Sequence, residues 1–183
     1  MFLIIDRHRK KEYIALQNSL MKNREETMKI QEELIELEAT QSESSKLEKE
    51  NKQDILRKLQ EEKFHYSIRL FQKTPYYKIL EELKLKRKIE EKTFTLEERE
   101  HLWDCIYQTF SDTMADLKVK CPDLTREDLL YCVFYLLGYP NPIIIACTGS
   151  NANALKSRKN RIRNKMNEEL RSIIFNIDSK LTH

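Results

Sequence analysis

Between Asn151 and Lys165 the chain carries six basic side chains and no acid: Lys156, Arg158, Lys159, Arg161, Arg163 and Lys165. Amide and hydroxyl groups fill much of the rest, at Asn151, Asn153, Ser157, Asn160 and Asn164. Leu155, Ile162 and Met166 are spaced by seven and four, so on a helix they share one face and point inward. The remaining faces then hold cations and amides together. Lys and Arg neutralise phosphates, and Arg and Asn can make paired hydrogen bonds to guanine and adenine edges. An α-helix of this make-up suits the major groove of a nucleic acid. The residues expected to make contact are Asn151 and Asn153 near base edges, then Lys156, Ser157, Arg158, Arg161 and Lys165. A competing account has the cations complement a helix C-terminus. It explains them poorly, because they begin near mid-helix and stop before Glu168 and Glu169.

No other constellation offers chemistry. The four cysteines, Cys105, Cys121, Cys132 and Cys147, form no C-x-x-C pair and have no histidine at zinc-finger spacing. In surroundings such as Leu-Tyr-Cys-Val-Phe they read as buried thiols of a reducing compartment. The histidines at 8, 65, 101 and 183 are scattered. There is no nucleophile–base pair in local sequence, no metal motif and no phosphate loop. The expectation is a chain that is not an enzyme, with no cofactor, no metal and no small-molecule substrate.

The elements that must position the basic helix are themselves helices. In 183 residues there are 2 Gly and 4 Pro, while charged residues make up 34% and apolar ones 40%. So few turn formers with so much charge predict an all-α fold and exclude a β-sandwich or a dinucleotide-binding α/β fold. The apolar fraction is too high for wholesale disorder. Thr74-Pro75 predicts a helix to about residue 88, and Thr95-Leu-Glu-Glu98 is a capping box opening a helix to about 119, stopped by Pro122. Thr125-Arg-Glu-Asp128 opens a helix closed by Gly138. Asn141-Pro142 caps a short helix ended by Thr148-Gly149, and Ser150 or Asn151 caps the basic helix. A helix of about two turns, a tight turn holding Gly and a longer helix make the helix-turn-helix layout.

Upstream the texture differs. Residues 12–72 contain neither Gly nor Pro. With position a at Leu16, Asn23, Ile30 and Leu37, and d at Leu20, Thr27 and Leu34, three heptads give a mostly apolar seam. Such a seam predicts a parallel two-chain coiled coil, with Asn23 fixing its register. A polar stretch interrupts it, and a stripe of different phase follows at Leu56, Leu59, Tyr66 and Leu70. One long helix is the favoured reading, because the break has no turn residue stronger than Ser. Two helices folding back at 40–46, or an amphipathic helix packing on its own domain, are the alternatives. At the N-terminus Met-Phe-Leu-Ile-Ile is far too short to span a bilayer. It runs into Arg7, Arg9, Lys10 and Lys11, either as the cytoplasmic edge of a membrane helix or as an ordinary terminus with a basic patch. Weak contact with an anionic membrane surface is expected there. The chain thus divides into a stub at 1–11, a coiled coil at 12–72, a helical connector at 73–120 and a helix-turn-helix domain at 121–183.

Leu124-Thr125-Arg126-Glu127-Asp128, with Asn141, Ile144, Thr148-Gly149, Leu155, Lys156, Arg161-Ile162 and Lys165-Met166, resembles the C-terminal helix-turn-helix of LuxR-type response regulators. The likeness covers about 123–167. It is nearest to a bacterial group in which that domain follows tetratricopeptide repeats, a membrane span and a cytoplasmic coiled coil. The sequence departs from the family at Ile143-Ile144-Ile145, where relatives carry polar residues, and at the flanking Pro140 and Pro142. The resemblance implies a dimeric, cytoplasmic DNA-binding transcription regulator, or the cytoplasmic part of a membrane-anchored one. The alternative is a coiled-coil interaction protein that has kept the fold without binding DNA, its basic helix meeting an acidic protein or RNA.

Overall fold

In a computed structural model the described residues, 2–38, 43–86 and 94–175, form nine helices and no strand. The all-α expectation holds. Among them no helix is long and apolar enough to cross a membrane. The chain divides into two compact units, 1–73 and 74–183.

The first unit holds α1 (Phe2–Glu38) and α2 (Glu43–Phe71). The expected single long helix is therefore corrected to two helices, which pack along one another. Of the alternative fold-back at 40–46, residues 40–42 lie outside the described residues and 43–46 begin α2. Four cross-links set the direction: Glu12 to Lys73 at 2.8 Å, Asn23 to Glu62 at 3.3 Å, Glu33 to Lys52 at 2.6 Å and Glu38 to Lys49 at 3.0 Å. As one residue number rises the other falls, so the pair is antiparallel. The seam expected to join two chains is covered here by the chain's own second helix. Leu16, Leu20, Asn23 and Thr27 are buried, with Leu16 and Leu20 in one cluster with Leu70 and Tyr66. Asn23, expected to fix register between chains, donates instead to Glu62 of its own chain. The physical reason is the phase slip: the stripe at Leu59, Tyr66 and Leu70 is the complementary half of an intramolecular seam. This seam is thin and partly polar. Asn23 Oδ1 and Ser67 Oγ are buried without a hydrogen bond.

The second unit is built around α6 (Arg126–Leu136), whose residues 128–135 are all buried. Around it lie α3 (Pro75–Lys86), α4 (Leu96–Thr109), α5 (Ser111–Lys120), α7 (Asn141–Thr148), α8 (Ala152–Asn164) and α9 (Glu168–Phe175). Helices α4, α5 and α9 pack on α6, while α3, α4 and α8 pack on α7. The expected connector and the expected C-terminal domain thus belong to one compact unit. Local chemistry sets the helix starts. Thr95 and Glu98, and Thr125 and Asp128, form reciprocal capping boxes. Thr74 Oγ1 accepts from the Tyr77 amide. The single helix expected from 95 to 119 is divided at Phe110 into α4 and α5, with hydrogen bonds kept on both sides of the joint and the ring fully buried. The N-cap of α7 is Pro140 rather than Asn141, and it makes no side-chain cap bond. The apolar α7 is explained by packing: Ile143, Ile144 and Cys147 are fully buried.

Candidate nucleic-acid interface

Helix α7 ends at Gly149, which takes the left-handed conformation at φ 65°. There only glycine avoids the Cβ penalty. Thr148 Oγ1 donates to the Ile144 carbonyl at 2.7 Å and lies 2.9 Å from Ser150 Oγ. Two residues after Gly149, Asn151 caps α8, its Oδ1 accepting from the Ala154 amide at 2.8 Å. These bonds fix how the basic helix leaves the turn.

The inner face of α8 is apolar as expected, with Leu155 and Ile162 buried and Met166 buried just past its end. The six cations divide between inward partners and the outer face, and Arg163 does both, exposed yet 5.9 Å from the centre of the Phe175 ring of α9. Arg158 Nη2 lies 2.8 Å from Glu127 and Nη1 3.5 Å from Asp128, with the guanidinium 4.8 Å from the centre of the Tyr131 ring. Lys165 Nζ reaches Asp128 Oδ2 at 2.7 Å. Lys159 Nζ sits 4.9 Å over Tyr135 and 5.3 Å from Phe175, an edge-on aromatic pair 5.0 Å apart. These three cations fasten α8 to α6 and α9 through ion pairs and cation–π contact. Arg158 and Lys165, expected to reach out, are thus occupied within the unit.

The carboxylate they share is an unusual one. The Asp128 side chain is only 4% exposed. Burial would raise its pKa, but the Lys165 hydrogen bond and the Thr125 backbone and hydroxyl bonds outweigh that, and the group is held below its ordinary 3.8. It also accepts from the Thr125 amide at 3.2 Å, so one side chain both caps α6 and anchors α8.

What faces outward is a different set. Asn153, Ser157, Asn160 and Asn164 are exposed and follow helical spacing along one stripe. At a rise of about 1.5 Å per residue the stripe runs roughly 16 Å. Lys156 and Arg163 flank it on one side and Arg161 on the other, all exposed. Of the residues expected to make contact, Asn153, Lys156, Ser157 and Arg161 share this surface. Asn151 is exposed at its end, with its side-chain oxygen committed to the cap. Asn160, Asn164 and Arg163 join the surface. Their signal was in the sequence, because 153, 157, 160 and 164 fall opposite Leu155 and Ile162 on a helical projection.

At the other end of the chain, Arg9, Lys10 and Lys11 are exposed on α1, while the Arg7 side chain lies outside the described residues. Comparison with protein-family models, with curated proteins and with solved structures finds no match for this chain. The likeness over 123–167 therefore rests on those residues alone.

Proposed function

We propose that the chain is a dimeric, cytoplasmic transcription regulator that lays α8 in the major groove of duplex DNA. The observation that carries this reading is the outward face of α8. It presents an uninterrupted amide and hydroxyl stripe, Asn153, Ser157, Asn160 and Asn164, between Lys156 and Arg163 on one side and Arg161 on the other, with no acid among them. Amides supply paired donors and acceptors for base edges, and flanking cations suit the two phosphate rails of a groove. Arg158, Lys159 and Lys165 act as positioning residues, holding the helix on its scaffold so that the stripe is presented rigidly.

A gel shift with random-sequence duplex at low salt tests the proposal. Binding at tens of micromolar or tighter is expected, since that is the range of non-specific recognition. No shift in that range contradicts it. The second reading, an interaction protein without affinity for DNA, draws on one observation: four of the six cations have a partner inside the unit, Arg163 the most loosely, which leaves a modest outward charge. It expects no shift at any salt concentration.

A further inference from the structure

The outer side of α1 carries Ile14, Met21, Met28 and Ile35, one every seven residues, and all four are between 45% and 68% exposed. At about 100° per residue they lie roughly 130° around the helix from the Leu16–Thr27 seam that α2 covers. Among the residues of this helix whose exposure is described, 9–38, they are four of the five exposed large apolar ones, Tyr13 being the fifth. A repeat of seven is the pattern that keeps one line of contact against a second helix.

Charge says which second helix. Residues 9–24 hold five bases and one acid, a net +4. Residues 25–38 hold one base and six acids, a net −5. This order opposes the helix dipole, which favours acids toward the N-terminus and bases toward the C-terminus. Helix α2 answers it only in part, through Lys52 to Glu33 and Lys49 to Glu38. Its halves beside the two ends of α1 are nearly neutral, with residues 43–57 at net 0 and 58–71 at net +1. A second α1 running the opposite way answers it at both ends, because it sets +4 beside −5 at each. The apolar line has the same symmetry. Ile, Met, Met, Ile reads identically in both directions, and its midpoint falls between residues 24 and 25, where the charge changes sign.

We propose that two copies of this chain associate through the outer face of α1 in antiparallel fashion, Ile14 meeting the partner's Ile35 and Met21 the partner's Met28. Each α1 is then covered on one side by its own α2 and on the other by its twin. A two-fold contact of this kind is self-complementary and closes at two chains. It differs from a parallel pairing through the Leu16–Leu37 seam, and it stands independently of any affinity for DNA.

The full chain at tens of micromolar tests it by sedimentation equilibrium. The expected mass is twice 22.1 kDa. Met21→Glu with Met28→Glu should return it to 22.1 kDa while circular dichroism keeps the helix content, since both side chains are exposed in the single chain. For direction, equimolar Ile14→Cys and Ile35→Cys chains are mixed, oxidised and mapped by peptide mass spectrometry. Antiparallel pairing yields the 14–35 cross-link between different chains. A monomeric wild type, a dimer indifferent to the paired Glu substitutions, or cross-links confined to 14–14 and 35–35 each overturn the proposal.

Discussion

Replacing Asp128 with Asn keeps the shape of the side chain and removes its charge. The carboxylate accepts from Lys165 at 2.7 Å and from the Thr125 amide at 3.2 Å, and faces Arg158 at 3.5 Å. Stripping one partner from a buried ion pair costs about 3–5 kcal/mol when the orphaned charge has nowhere to go. Here it has some relief. Lys165 is 29% exposed and can turn to water, and Arg158 keeps Glu127 at 2.8 Å. Weakening the capping box adds a fraction of the roughly 1 kcal/mol that such caps contribute. The net expectation is a loss of about 2–3 kcal/mol, or roughly 10–20 °C in midpoint for a unit of this size. Trp103 is the sole tryptophan and bonds the Cys147 carbonyl at 2.9 Å, so its fluorescence during urea unfolding reports the second unit alone. Because the folded-state pKa of Asp128 lies below 3.8, its contribution is complete well above that pH and disappears as pH falls through the folded value. The gap between wild type and Asp128→Asn should be constant from pH 7 to about 5 and close below about pH 4. A variant within about 0.5 kcal/mol of wild type at pH 7, the range of an ordinary surface substitution, refutes the anchoring role.

Three further outcomes follow from the same geometry. Arg158→Ala should lower stability by about 1–2 kcal/mol, couple to Asp128→Asn in a double-mutant cycle and leave any base preference unchanged; a change of preference at one base position without loss of stability would return Arg158 to the groove. Gly149→Ala should cost about 1–2 kcal/mol, because the residue sits at φ +65° and the added Cβ would meet the Arg99 guanidinium, and equal midpoints in thermal unfolding would contradict this. Burial pushes the Cys132 and Cys147 thiols up to about 12, so at pH 8 both stay protonated; mass spectrometry after iodoacetamide treatment should find them unlabelled in the native chain and labelled in urea.

Where the determinants are local, the sequence announces them. The boxes at Thr95 and Thr125, the left-handed Gly149 and the Asn151 cap each depend on residues within three or four positions, and each forms as its spacing implies. Helix α9 has a signal of the same kind: Asn167, which accepts from the Leu170 amide at 2.9 Å, stands before Glu168 and Glu169. What could not be read are contacts between distant positions. Asp128 is 30 residues from Arg158 and 37 from Lys165, and nothing local distinguishes those cations from Lys156 or Arg161. The hairpin is similar. A heptad seam states that a partner helix exists, and only the three-dimensional arrangement states that α2 of the same chain supplies it. The burial of the apolar α7 comes in part from α3 and α4, far upstream in sequence.

The proposed contact is between duplex DNA and the outward face of α8. Fluorescence anisotropy with a labelled duplex, repeated from low to moderate salt, tests it on the wild type and on Lys156→Ala with Arg161→Ala. Each phosphate contact contributes about 0.9 to the slope of log affinity against log salt. Loss of Lys156 and Arg161 together should flatten the slope by roughly 1.8 for each chain bound while urea stability stays at the wild-type value. A wild-type slope near zero, or a slope unmoved by loss of both cations, would contradict it.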